Sequence, residues 1–217
     1  MKLMHVVWDW NGTLVDDLPV VIDSVNGALG AIGEQAIDAD DYRAHYTRPV
    51  YRFYESLLDR TVTRSEWETL DRVFHDRYSA SLDRVPLAEG ANAALDAVEA
   101  RGWTQSILSM WWEADLTACV ARRGLTDRMT LIQGNRNDGG GTKAAHLRRH
   151  LAALDLEPTS AVLIGDSLDD AAAAQEVGAR CVLYDGGSHH PDELVRTGAP
   201  VVGSLTAAIG VAAGIAQ

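Results

Sequence analysis

Lysine is nearly absent from this sequence of 217 residues: Lys2 and Lys143 are the only two, and the other seventeen cationic side chains are arginines. Chemistry that needs an interior amine therefore has one candidate, Lys143. Positive charge is scarce as a whole, with 19 Lys and Arg against 31 Asp and Glu and a formal net charge of −12. Nucleic-acid binding needs a basic footprint, and so does a polybasic membrane-surface protein; neither class is expected. An anionic substrate stays possible, because a local cation or metal overrides the global field. Cysteine is limited to Cys119 and Cys181. With no framework spacing, they point away from a disulfide scaffold and toward a reducing, cytoplasmic setting. No apolar run is long enough to span a bilayer. The stretch from Leu3 to Trp8 before Asp9 is too short for a signal peptide.

What is present reads as strands alternating with helices. Leu3 to Trp8 is a short apolar run that stops at a polar, Gly-containing turn, as a buried strand does. Similar runs occur at Thr104 to Ser109, Met129 to Gln133, Ala161 to Ile164, Cys181 to Tyr184 and Pro200 to Val202. Helical spacing appears between most of them: at Ala91, Ala94, Leu95 and Val98, at Leu147, Leu151 and Leu154, and over Ala171 to Val177 before Gly178. The alternation predicts an α/β fold, a Rossmann-like parallel sheet with helices on both faces. Residues 15–86 break the rhythm. Val21, Val25, Leu29 and Ile32 mark one helical face, Trp67, Leu70, Phe74 and Tyr78 another, and Tyr51 to Leu58 a shorter helix. The expected organisation is a core of residues 1–14 and 87–217 with an all-helical insert at 15–86. Gly139-Gly140-Gly141 reads as a flexible loop, and Ser204 as the cap of a last, small-residue helix.

Four segments fall at strand ends or helix starts, where a parallel sheet places its ligands. Asp9-Trp10-Asn11-Gly12-Thr13-Leu14 puts a carboxylate beside a Gly turn. Ser109 offers a hydroxyl. Lys143 opens a helix, where ammonium and helix N-terminus both favour a phosphate. Gly165-Asp166-Ser167-Leu168-Asp169-Asp170 clusters hard oxygens suited to Mg²⁺. Taken singly, each has a plainer reading: a helix cap, an ordinary hydroxyl, a solvated charge.

Together, in this order, the four segments resemble the motifs of the haloacid dehalogenase-like hydrolases, most of which are Mg²⁺-dependent phosphatases. The insert resembles the family's small helical cap, and Pro86 to Gly90 its point of re-entry. The resemblance implies that Asp9 attacks phosphorus and forms an aspartyl-phosphate. It implies that Asp9, the Asn11 carbonyl, Asp166 and Asp170 hold Mg²⁺, Asp170 directly or through water. Ser109 and Lys143 would hold the phosphoryl oxygens, with Thr13 also at the substrate. Arg48 or Arg52, among interleaved tyrosines of the insert, would meet a substrate carboxylate or second phosphate; their plainer reading is a solvated arginine face. The implied partner is a small phosphorylated metabolite.

Asn11 departs from the pattern. The family's phosphatases usually carry there a second Asp, which protonates the leaving group and later activates water. An amide cannot exchange a proton in that way. One alternative is therefore a weakened or non-catalytic member that binds a phosphometabolite or a partner. A phosphonatase would need a cap lysine, and residues 15–86 contain none. A haloacid dehalogenase proper needs no Mg²⁺ and usually has Tyr at this position.

Overall fold

The computed structural model describes residues 4–136 and 141–215. Lys2, Leu3, Gly139 and Gly140 lie outside that set. The chain divides into two compact units. The first comprises residues 1–16, 87–187 and 191–217, and the second residues 17–86 and 188–190.

Six strands build the first unit: β1 (His5–Trp8), β2 (Thr104–Trp112), β3 (Ile132–Asn135), β4 (Ala161–Gly165), β5 (Arg180–Tyr184) and β6 (Val201–Val202). They form one sheet in the order β3-β2-β1-β4-β5-β6, and every pair is parallel. Val6, Val7, Trp8 and all of Val162 to Ile164 are fully buried. Continuous burial is what a sheet covered on both faces demands. The covering helices of this unit are α5 (Ala91–Glu99), α6 (Glu113–Arg122), α7 (Lys143–Ala153), α8 (Leu168–Val177), α9 (Pro191–Val195) and α10 (Leu205–Ile215). On one face Val7, Leu108 and Leu163 meet Leu147 and Leu151 of α7 and Ala173 and Ala174 of α8. Chain direction across the sheet reverses between β1 and β4, so their carboxyl ends flank a topological switch point, where such sheets bind ligands.

Two strand expectations need correction. Strand β2 does not stop at Ser109 but runs on to Trp112, with a register irregularity against β3 between Leu108 and Trp112. There the Trp111 N–H donates to Ser109 Oγ at 3.1 Å. A side chain thus takes a backbone donor at the irregularity. Strand β3 runs from Ile132 to Asn135 rather than from Met129 to Gln133, although the Thr130 N–H already donates to Gln105 O at 2.8 Å. Helices α2, α6 and α9 had no counterpart among the sequence patterns. Ser204 does cap the last helix, accepting from Ala207 N–H at 3.2 Å.

The second unit holds α1 (Leu18–Ala31), α2 (Ala39–His45), α3 (Val50–Leu58) and α4 (Arg64–Ser81). Its own core gathers Leu18, Val25, Leu29, Tyr42, Phe53, Tyr54 and Leu70. Asp38 and Thr63 start α2 and α4 with reciprocal capping boxes, each satisfying orphan N–H groups. Tyr78 Oη donates to the buried Asp17 Oδ2 at 2.6 Å. The three residues from the β5–α9 connection join this unit, with the His189 ring edge-on to Tyr46 at 5.3 Å between centroids. Val15 pairs with Asn11 and Leu87, and the first unit extends to Asp16.

Candidate active site

Asp9 follows β1 directly, and its N–H extends the ladder to Ile164 O at 2.8 Å. One carboxylate oxygen, Oδ1, accepts from the Trp10 N–H at 2.8 Å. The other, Oδ2, meets Lys143 Nζ at 2.7 Å. Lys143 reaches back from the first position of α7, a start fixed by Thr142 Oγ1 accepting from Ala145 N–H. The same ammonium lies 2.5 Å from Asp170 Oδ1. Asp170 is the third residue of α8, and its Oδ2 closes a capping box with Ser167 N and Oγ. Asp166 sits between the end of β4 and that cap. One carboxylate oxygen each of Asp9, Asp166 and Asp170 lies within 4.8 Å of the other two, and all three residues are buried.

Glycine makes room for the Asp166 carboxylate at two positions. Gly12 has φ +68°, and a Cβ there would stand 2.5 Å from Asp166 Oδ2. A side chain at Gly187 would run into the same carboxylate. Only a residue without Cβ combines the left-handed backbone of position 12 with that contact.

The cluster carries surplus negative charge: three buried carboxylates face one ammonium. Burial dominates at Asp9 and pushes its carboxyl up to about 7; the Lys143 ammonium pulls down, while Asp170 and Asp166 push further up. At Lys143, burial pulls the ammonium down, but Asp170 and Asp9 outweigh it and hold it above its ordinary value. Hard oxygen donors converging from three buried carboxylates fit a hard divalent cation. Asp9, Asp166 and Asp170 are the residues that could hold it.

Asn11 is half-buried, and its Oδ1 accepts from Ser109 Oγ at 3.2 Å. Thr13 is fully buried, and its hydroxyl donates to Asp166 Oδ1 at 3.0 Å. The structure thus brings together Asp9, Asn11, Thr13, Ser109, Lys143, Asp166 and Asp170 within the first unit. Arg48 and Arg52 belong to the second unit. Arg52 is exposed, pairs with Glu55 at 3.1 Å, and lies over the Tyr51 ring at 5.2 Å. Trp112, at the end of β2, is 40% exposed.

Residues 3–178 match the haloacid dehalogenase-like hydrolase family. The chain belongs to this family. Among its relatives, a phosphoglycolate phosphatase of Mesorhizobium japonicum is 27% identical, over 88% of this chain and 86% of that protein. One of Synechococcus elongatus, also named phosphoglycolate phosphatase, is 26% identical over 89% of each chain. A crystal structure described as a predicted phosphatase from Clostridium acetobutylicum superposes with a TM-score of 0.85, covering 99% of this chain and 100% of that one, at 18% identity. As a haloacid dehalogenase-like hydrolase, the protein is an enzyme with an α/β core. Among its described residues no helix is long and apolar enough to cross a membrane.

Ser167 carries a local signal that the surrounding Asp residues obscure: a Ser three residues before an Asp at a helix start is a capping-box pattern. The Trp10 N–H is a backbone donor, which no side-chain pattern reveals.

Proposed function

We propose that this hydrolase is a Mg²⁺-dependent phosphatase acting on a small phosphate monoester. The carrying observation is the single ammonium of Lys143 set between Asp9 and Asp170, with Asp166 alongside. Asp9 is the nucleophile. Its carboxylate oxygen forms a bond to phosphorus as the bond from phosphorus to the ester oxygen breaks, and the alkoxide or phenoxide leaves with the electron pair. Water then attacks the phosphorus of the aspartyl-phosphate, releasing phosphate and regenerating Asp9. Lys143 orients Asp9 and pairs with phosphoryl oxygens as charge moves onto them. Ser109 holds a phosphoryl oxygen or, through its hydrogen bond, the Asn11 amide. Thr13 holds Asp166 in place.

Asp9, Asp166 and the Asn11 carbonyl are the proposed metal ligands. Asp170 acts through water, since its two oxygens already serve Lys143 and Ser167. When bound, the cation neutralises charge on the transferring phosphoryl group. The phosphoglycolate phosphatases among the relatives favour a substrate that also carries a carboxylate, and Arg48 or Arg52 is its proposed partner. The two free cysteines suit a reducing cytoplasm.

Turnover of phosphoglycolate and of an aryl phosphate, with and without Mg²⁺, tests the reading. Activity that needs Mg²⁺ and disappears in Asp9→Asn is the expected result; no turnover of any phosphorylated metabolite in a screen overturns it. Asn11 favours one second reading, a member that binds a phosphometabolite and turns it over slowly or not at all. Tight ligand binding without release of phosphate would select it.

A further inference from the structure

A buried polar chain lies on the face of the sheet that carries α7, well below the charged cluster. His5 Nδ1 and Thr104 Oγ1 are 2.7 Å apart, and His5 Nε2 and Ser106 Oγ also 2.7 Å. Ser106 Oγ and His150 Nε2 are again 2.7 Å apart, and His150 Nδ1 and Gln133 Oε1 are at 2.8 Å. His5 is 2% exposed, and Ser106 and His150 are fully buried. One order of protons satisfies every link. Gln133 Oε1 accepts from His150 Nδ1–H, so His150 Nε2 accepts from the Ser106 hydroxyl. Ser106 oxygen accepts from His5 Nε2–H, and His5 Nδ1 accepts from Thr104. Both rings are then neutral, which agrees with burial holding both imidazoles below their ordinary range.

The placement of the chain is informative. His5, Val7 and Asp9 alternate onto one face of β1. Lys143, Leu147 and His150 follow helical spacing along one side of α7. Helix and strand therefore meet in three tiers: Asp9 with Lys143 at the top, Val7 in the cluster with Leu147 in the middle, His5 with His150 through Ser106 at the bottom. Four strand residues span about 13 Å and seven helical residues about 10 Å, so a long lysine side chain closes the upper tier. The middle tier is apolar, and apolar burial is non-directional, so it sets the height of the helix less sharply than hydrogen bonds do. Hydrogen bonds weaken steeply with misalignment, so the bottom tier resists sliding.

We propose that His5, Ser106, His150 and Gln133 are positioning residues that fix the height of α7 on the sheet and thereby hold Lys143 Nζ against Asp9. The proposal rests on the reading of Asp9 and Lys143 as catalytic groups.

Ser106→Ala removes the central hydroxyl and little volume. A misplacement of about 1 Å costs about 10²-fold in rate. A partial slip of α7 is expected to lower kcat about 10-fold, with KM within about twofold. Gln105→Met is the control. On the same strand as Ser106, it deletes the acceptor of the buried Trp8 Nε1–H and the donor to Glu99 Oε1, neither of them on α7, and it should keep kcat at a similar loss of melting temperature. Gln133→Leu, at the half-buried end of the chain, should lower kcat about threefold, and Gln133→Glu, which keeps the acceptor, should restore it. This pair carries the test if Ser106→Ala does not fold. A crystal structure of Ser106→Ala, or of Gln133→Leu, should show Lys143 Nζ displaced from its 2.7 Å approach to Asp9. Unchanged kcat with α7 in place overturns the proposal. So does a kcat loss that only tracks lost stability, equal in Gln105→Met. If wild type and Asp9→Asn are both inactive, the catalytic reading fails instead, and the crystal structure still reports whether the relay sets α7.

Discussion

The Ser109 hydroxyl donates to Asn11 Oδ1 at 3.2 Å, so the side chain two residues after the proposed nucleophile is held as a hydrogen-bond acceptor. An amide so held cannot lend a proton to a departing alkoxide or take one from water. Asn11→Asp keeps the acceptor and adds a titratable oxygen. General acid–base help is typically worth about 10²–10⁴-fold, and the variant is expected to raise steady-state turnover by about 10-fold or more. Wild type should favour aryl over alkyl leaving groups and show a burst in rapid-quench kinetics. Absence of a burst, with no gain in Asn11→Asp, would mean that another group already moves the proton. The starting material should be checked by mass spectrometry for deamidation at Asn11-Gly12.

Thr13 gives a second expectation. Thr13→Val keeps the shape and removes the hydroxyl that donates to Asp166. If that hydroxyl orients a metal ligand, the variant should weaken Mg²⁺ binding about 10-fold, in the range seen when a ligand's supporting hydrogen bond is removed, and leave KM at saturating Mg²⁺ near wild type. Calorimetric Mg²⁺ titration beside substrate kinetics distinguishes this from contact with substrate, which would move KM alone. Asp166→Asn should abolish the titration signal.

The Asp9 carboxyl, pushed up to about 7 by burial against a usual value near 3.8, fixes the direction of a third. Between those values the folded, metal-free protein binds a proton that the unfolded chain does not. Its stability therefore falls as the pH rises through that window. A cation at the carboxylates removes this penalty. Mg²⁺ should then raise the melting temperature more at pH 8 than at pH 5.5, and binding near pH 6.5 should release protons. Equal shifts at both pH values would remove Asp9 from the ligand set.

The buried histidines act in the opposite sense. Burial holds His5 at about 4, and burial together with His5 holds His150 at about 3. In an unfolded chain both take up a proton near 6.5. Their contribution is whole above pH 6.5 and is lost as the pH falls through 4 and 3. For His5 alone, the shift corresponds to about 3 kcal/mol. Urea midpoints measured from pH 7.5 to pH 4 should drop steeply, and the double variant His5→Asn, His150→Asn should flatten that limb. A midpoint independent of pH in wild type would contradict the neutral, hydrogen-bonded rings.

The sheet was legible because its central strands are continuous apolar runs, and the site because Asp9, Lys143, Asp166 and Asp170 carry chemistry at strand ends and helix starts. Other features depend on pairing that a single segment does not display. Strand β2 runs on past the hydroxyl at Ser109 because its last residue, Trp112, finds a partner in Asn135 of β3. Thr13 sits beside a Gly turn, which suggests a ligand; only the fold brings Asp166 to its hydroxyl. His5 and Ser106 look like isolated polar residues in apolar runs, about 100 positions apart, until β1 and β2 lie side by side. Helix α2 owes its start to the Asp38–Asp41 box, a local signal that the polar composition around it obscured.

The second unit is not a cassette. Swapping residues 17–86 for another sequence, cutting where the chain first leaves and re-enters the first unit, would carry off Tyr46 and strand the short piece, Ser188–His190, whose His189 ring rests on it. A working chimera has to transplant both pieces, the seventy residues and the three, and has to keep glycine at 187, the position pressed against Asp166.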